Sequence, residues 1–106
     1  MSSISYEKWR KLSIFDQMGN IGSEVGRAIS AERRNDAASR DAAIRRALDL
    51  FDVTAKSLIG VNPARLKEVL RSKEEFLALF FDNRFDEADS LENYFMQFAL
   101  AARMGR

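Results

Sequence analysis

The 106-residue chain contains no cysteine and no histidine. These absences exclude disulfides, zinc sites built from cysteine and histidine, and catalysis by a nucleophile paired with histidine. They also exclude a pH switch based on histidine. The longest uninterrupted apolar run, residues 76–81, is far shorter than the about 20 residues of a membrane-spanning helix. The N-terminal sequence has no apolar stretch of signal-peptide length, so we expect a cytoplasmic protein without membrane association.

The composition is typical of a soluble globular protein, with 46% hydrophobic and 31% charged residues. The length suits a single helical domain over residues 1–106 with one core. A formal net charge of +1 argues against a protein that coats nucleic acid through overall positive charge. The charge is instead polarised, because residues 27–46 are rich in arginine and residues 82–92 are rich in acids. Such oppositely charged segments favour oriented association with a partner or with a second copy.

Apolar residues recur every three or four positions along most of the chain, which predicts an all-α protein. The pattern predicts helices at approximately 14–33, 37–59, 63–82 and 90–104. The short connections between them favour an up-down-up-down antiparallel four-helix bundle. A three-helix bundle with one long bent helix is the alternative.

Local sequence signals mark the ends of these predicted helices. Ser13 is suited to N-cap the first helix, and the second starts at Asp36 or Ser39. Gly60 fits a left-handed C-terminal cap, and Asn62 precedes a proline at the first position of the third helix. Asp89 and the acidic residue three positions later predict a capping box for the fourth helix.

The N-terminal segment 1–12 is expected to lie across one end of the bundle and to pack through Ile4, Trp9 and Leu12. For Trp9 we favour a packing anchor over a platform for a ligand.

Three glycines lie at helical spacing on the first long helix: Gly19, Gly22 and Gly26. Each glycine inside a helix costs up to about 1 kcal/mol relative to alanine, so a compensating interaction is expected. Close packing of another helix against this glycine strip is the favoured interpretation. A helix break near Gly19 and a ligand bound against the bare backbone are the alternatives.

The last two predicted helices carry more apolar residues than the about three positions in seven that a surface helix of a monomeric bundle needs. The excess predicts burial by the N-terminal segment, by a second copy or by a protein partner, and self-association is favoured. The candidate interface residues are Phe76, Leu79, Phe80, Phe81, Met96 and Leu100.

A cluster of arginines around the turn between the first two helices is a candidate contact for an anion or a nucleic acid: Arg33, Arg34, Arg40, Arg45 and Arg46. Guanidinium groups bind phosphates well. No aromatic residue is interleaved for base stacking, and nearby aspartates reduce the positive potential. A solvated, ion-paired corner and an anionic partner therefore both remain open.

The carboxylates form no recognisable catalytic or metal-binding pattern. The acidic stretch 82–89 lacks the alternating ligands and the central glycine of a calcium loop. A glycine-rich phosphate loop after a strand is also missing. The sequence therefore predicts a protein that is not an enzyme and that needs no cofactor and no metal.

The stretch 18–27, Met-Gly-Asn-Ile-Gly-Ser-Glu-Val-Gly-Arg, followed by the helix at 43–51, resembles small bacterial four-helix-bundle proteins. It is also distantly similar to the ribosomal S23-like group, which includes accessory proteins of diversity-generating retroelements. That group has an Asn-Ile-x-Glu-Gly motif on a bundle helix. Here Asn20-Ile21 is followed by Glu24, one residue late, and by Gly26. The resemblance implies a homo-oligomeric bundle, pentameric in the retroelement members, that engages RNA or a reverse transcriptase through a basic surface.

Two functions follow as hypotheses. The first is a homo-oligomeric helical bundle that acts as an interaction or adaptor module for a protein partner. The second is an accessory protein that binds RNA or a nucleoprotein through the arginine-rich corner.

Overall fold

The computed structural model describes residues 5–105, and within that range every regular element is helical. The helices are α1 (Tyr6–Trp9), α2 (Ile14–Arg33), α3 (Ala37–Leu58), α4 (Pro63–Phe81) and α5 (Ala88–Arg103), with a 3₁₀ turn at Phe85–Glu87 before α5. The all-α prediction is confirmed, and the predicted ends of the long helices agree with the structure to within about two residues. Because α2 to α5 are four separate long helices, the alternative with three helices is wrong.

Local capping accounts for the starts of α2, α3 and α4. The side chains of Ser13, Asp36 and Asn62 each accept a hydrogen bond from the backbone N–H three residues later, at 3.0–3.1 Å. These bonds satisfy amides that have no partner inside the helix. Gly60, just after α3, has a φ of +73°, the left-handed conformation expected for it. The predicted caps at these positions are therefore confirmed.

The start of α5 differs from the prediction. The helix begins at Ala88, directly after the 3₁₀ turn, and the N-cap residue Glu87 makes no capping hydrogen bond with its side chain. Asp89 and Glu92 instead accept hydrogen bonds from the guanidinium of Arg33 on α2. The predicted capping box is wrong, because α5 begins before Asp89, which lies inside the first turn and not at the N-cap.

The core lies where α2 packs against α3 on one side and against α5 on the other, and α4 closes the remaining side. Its centre is aromatic, since the Phe51 ring on α3 lies 5.9 Å from the ring of Phe76 on α4 and 6.1 Å from that of Phe95 on α5. Tilted and edge-on rings at this separation attract one another beyond the gain from burying their area. The fully buried aliphatic and thioether side chains of α2 are Met18, Ile21, Val25 and Ile29.

The apolar residues of α4 are divided between the core and the surface. Val69, Phe76 and Leu79 are buried, whereas Leu70 and Phe81 are exposed. Ser72 is buried on the same face, and its hydroxyl donates a 2.8 Å hydrogen bond to the carbonyl of Val69. A serine that satisfies its own hydroxyl in this way is compatible with a core, and it interrupts the apolar pattern that would identify the face.

The N-terminal segment is anchored by Trp9, which is buried. Its indole Nε1 donates a 2.9 Å hydrogen bond to Oγ1 of Thr54 on α3, and its carbonyl accepts one of 2.9 Å from Gln17 Nε2. Leu12 is exposed, so its predicted packing contact is wrong. The predicted contact of Ile4 lies outside the described residues.

Candidate interaction surfaces

The glycine strip on α2 faces α5. A Cβ built at Gly22 would lie 2.7 Å from the Cβ of Phe95, a distance that real Cβ atoms do not reach. At Gly19 the nearest atom would be the Cα of Ala99, at 3.5 Å. Since α2 is continuous through these positions, the helix break is wrong. The missing side chains allow two helix backbones to approach closely, which offsets the low helix propensity of glycine.

Beside this contact a groove of about 290 Å³ runs between α2 and α5. A Cβ at Gly26 would meet no atom closer than Glu92 Oε2, at 3.7 Å, so the groove is open there. The side chains along the α5 side of the groove are Glu92, Phe95, Met96, Ala99 and Arg103. This surface combines an open backbone, an apolar wall and one charge of each sign.

Part of the predicted apolar interface lies inside the protein. Phe76 and Leu79 are buried, at 0% and 3% exposure. Phe80 is half-buried, with its ring 5.5 Å from that of Phe76 and 5.9 Å from that of Phe85. Phe76 and Leu79 cannot contact a second copy without opening the core, whereas Phe80 keeps part of its side chain accessible. The apolar run 76–81 surrounds its helix, and periodicity alone does not reveal which side faces inward.

The remaining predicted interface residues are on the surface. Phe81 is exposed at the end of α4, while Met96 and Leu100 on α5 are 51% and 49% exposed. Met104 lies four residues further along and is 67% exposed. Residues spaced by four share one side of a helix. The α5 apolar face, defined as Met96, Leu100 and Met104, therefore borders the open groove.

The arginine corner is not one contiguous patch. Arg33 donates hydrogen bonds to Asp89 at 2.7 Å and to Glu92 at 3.3 Å, and the hydrogen bond to Asp89 is the main cause that raises the pKa of Arg33. Arg40 is engaged by Glu32 at 2.8 Å and Asp41 at 2.9 Å. The two oppositely charged segments of the sequence thus meet at Arg33 within one molecule.

Two arginines of the predicted set do share a surface. Arg34 and Arg46 line a groove of about 510 Å³ between α2 and α3, together with Arg27, which the predicted set omitted. Arg27 lies on α2 and Arg34 directly follows it, seven residues later. Because seven residues are about two helical turns, this spacing could have predicted that the two arginines share a surface. Three hydroxyls also line this basic groove: Ser23, Ser30 and Ser39. Arg45 is exposed but is not among the lining residues.

The basic groove is partly neutralised by acids at its edge. Glu24 is largely buried and forms ion pairs with Arg27 at 3.1 Å and with Arg46 at 3.0 Å. Arg34 lies 3.6 Å from Asp36. The groove therefore has three cations against two carboxylates, a modest excess of positive charge. The groove is therefore neither a fully neutral corner nor a strongly basic patch.

Over residues 5–105 no group of three or more acidic side chains is placed to hold a metal ion. None of the helices in that range is both long enough and apolar enough to cross a lipid bilayer. Every buried side-chain nitrogen or oxygen in the described part of the chain has a hydrogen-bond partner.

Comparisons with protein-family models, with curated proteins and with solved structures found no match to this chain.

Proposed function

We propose that this chain is a non-enzymatic helical-bundle module that self-associates and acts as an interaction or adaptor protein. The observation that carries the proposal is the α5 apolar face, whose members are 49–67% exposed. Burying a fully exposed side chain of this kind gains about 1.5–3 kcal/mol, and these side chains are roughly half exposed, so a partner that covers all three gains about half of that at each position. A second copy of the chain is the partner that is always present at equal concentration.

The proposed architecture is an up-down-up-down four-helix bundle. Ion pairs between α2 and α3 support it, because Glu24 pairs with Arg46 and Glu32 pairs with Arg40. As residue numbers rise on α2 they fall on α3, which is the order expected for antiparallel neighbours.

The contacts of α2 with α5 have the same inverse order. Gly19 lies against Ala99, and Arg33, fourteen positions further on, pairs with Asp89. Between α4 and α5, Glu68 accepts a hydrogen bond from the Tyr94 hydroxyl at 2.5 Å. These contacts support a bundle in which the α5 apolar face is left on the outside.

The mass of the protein in solution tests the proposal. We expect light scattering to give a mass above the 12.1 kDa of a single chain, increasing with concentration. Leu100→Asp should shift the protein to the monomer while its helical circular dichroism is retained. Leu70→Asp is the matched control, since Leu70 is 44% exposed on α4 and Leu100 is 49% exposed on α5. A wild type that is monomeric at every accessible concentration would refute self-association.

The alternative function is an accessory protein that binds RNA or a nucleoprotein. The basic groove with Arg34 and Arg46 supports it, and Arg27 extends the positive charge by two helical turns. Phosphate contacts are sensitive to salt, so an RNA complex of this kind should weaken by orders of magnitude as salt rises. Apolar self-association should persist or strengthen over the same series.

The variants Arg34→Gln and Arg46→Gln, with Arg45→Gln as a control outside the groove, test this alternative in an RNA titration. We expect weaker binding for the first two and unchanged binding for the control. Equal binding by all three would exclude the basic groove as the RNA contact.

A further inference from the structure

Four residues of α5 form one stripe along the groove between α2 and α5: Glu92, Met96, Ala99 and Arg103. The spacings between them are four, three and four residues, so the pattern of spacings is the same from either end of the stripe. The stripe spans 12 residues, and its two ends are about 16 Å apart along the helix. Its two ends carry opposite charges, and its two inner positions are a large and a small side chain.

From this pattern we propose that two copies pack their α5 helices antiparallel about a two-fold axis that passes between residues 97 and 98. The inference rests on the proposed self-association and specifies its geometry. In that arrangement Glu92 of each copy faces Arg103 of the other. Met96 of each copy faces Ala99 of the other. A two-fold axis makes each contact occur twice, which is the property of an isologous interface.

The charges select the antiparallel orientation. In a parallel pair Glu92 would face Glu92 and Arg103 would face Arg103, and like charges at close range oppose association. Glu92 Oε1 is 3.3 Å from Arg33, while Oε2 is the atom nearest to the open position at Gly26. One carboxylate oxygen is therefore directed toward the groove. Arg103 is exposed and forms no ion pair with any residue of the described range.

The sizes of the side chains that face each other agree with the same antiparallel alignment of the two α5 helices. Met96 is long and flexible, and the position opposite to it holds the small side chain of Ala99, beside Gly19 of α2. A methionine adapts to an irregular gap better than a branched side chain does. Alternation of large and small residues across facing positions allows two helices to interdigitate. In this register Leu100, one turn after Met96, borders the contact, so part of the α5 apolar face is covered along with the stripe.

A charge reversal and its compensation test the geometry. Arg103→Glu places two pairs of like charges across the interface, and we expect the dissociation constant in analytical ultracentrifugation to rise at least tenfold. Adding Glu92→Lys to that variant restores opposite charges and should recover most of the affinity. Arg33 keeps its 2.7 Å ion pair with Asp89 in the double variant. Arg45→Glu makes the same change of charge on α3 and should leave the dissociation constant within about twofold of the wild type.

A disulfide experiment gives an independent measurement, because the chain has no native cysteine. Oxidation of an equimolar mixture of Met96→Cys and Ala99→Cys chains should give the mixed disulfide in clear excess over the twofold preponderance over each homodimer that random pairing produces. In the matched control, Gln97→Cys replaces Met96→Cys, since Gln97 is exposed on another side of α5. That mixture should show no such excess.

The outcomes separate the two claims. If the wild type self-associates but Arg103→Glu does not weaken it and the mixed disulfide is not favoured, the antiparallel geometry is wrong and self-association stands. Preferred homodimers of Ala99→Cys would indicate a parallel pair and would also overturn the geometry. A strictly monomeric wild type overturns both.

Discussion

The indole Nε1 of Trp9 donates a 2.9 Å hydrogen bond to Oγ1 of Thr54, two buried residues that are 45 positions apart in the chain. This bond connects the short helix α1 to α3, about one turn before the end of α3. The side-chain amide of Gln17 donates a hydrogen bond to the backbone carbonyl of the same tryptophan. The N-terminal segment is therefore attached to the bundle by polar contacts inside an apolar surrounding, where such bonds are costly to break.

A double-mutant cycle on this pair should show coupling. We expect Trp9→Phe and Thr54→Val each to lower the free energy of unfolding by about 1–3 kcal/mol, because each leaves a buried polar group without its partner or removes packed atoms. The double variant should lose about 1 kcal/mol less than the sum of the two single losses. Urea unfolding followed by circular dichroism measures all four proteins. Strictly additive losses would mean that the hydrogen bond contributes nothing of its own.

The glycine strip predicts opposite effects for one substitution at two positions. Gly22→Ala places a Cβ 2.7 Å from that of Phe95, so the helices must separate, and we expect a loss of about 1–3 kcal/mol. Gly26→Ala meets only Glu92 Oε2 at 3.7 Å, and the higher helix propensity of alanine should stabilise by up to about 1 kcal/mol. Thermal and urea unfolding of both variants provide the comparison. Stabilisation by Gly22→Ala would contradict close packing of α2 on α5.

The N-cap of α3 predicts a pH dependence in acid. Hydrogen bonds from the hydroxyl and the backbone N–H of Ser39 lower the pKa of Asp36 below its ordinary value. A lowered pKa means that the stabilisation is present above the unfolded-state pKa of about 3.9 and is lost as the pH falls below it.

Asp36→Asn keeps a capping oxygen but does not titrate in this range. We expect the variant to lose less stability than the wild type between about pH 7 and about pH 3, measured by urea unfolding. Identical pH profiles would show that this carboxylate does not contribute.

A second titration is predicted in alkali. Burial, and then the hydrogen bond to Glu68, raises the pKa of Tyr94 well above its ordinary value. A raised pKa means that the contribution is fully present below the unfolded-state pKa of about 10 and is lost as the pH rises beyond it. In a Tyr6→Phe variant Tyr94 is the only tyrosine, because the chain has two.

Phenolate absorbance of that variant should therefore appear together with the loss of helical circular dichroism. Tyr94→Phe should remove this source of alkaline destabilisation. Ionisation of Tyr94 near pH 10 in a fully helical protein would contradict the prediction.

The helices and most of their ends, but not the start of α5, were readable from the sequence alone. Ser13, Asp36, Asn62 and Gly60 act on backbone atoms within three or four residues of themselves, so their effect depends on nearby sequence only. The spacing of the glycines on α2 likewise indicated that another helix packs closely against it.

Which side of α4 is buried, and which arginines share a surface, depended on the tertiary structure. Phe76 and Phe81 belong to one apolar run, and only the position of Phe51 and Phe95 on other helices made the first of them core and the second surface. Arg33 and Arg34 are adjacent in sequence, yet one pairs with α5 and the other lines the groove against α3. Capping acts over a single helical turn, whereas burial and ion pairing join residues that are distant along the chain. For that reason the amino-acid order determined the helical elements of this protein, and the packing of those elements determined its surfaces.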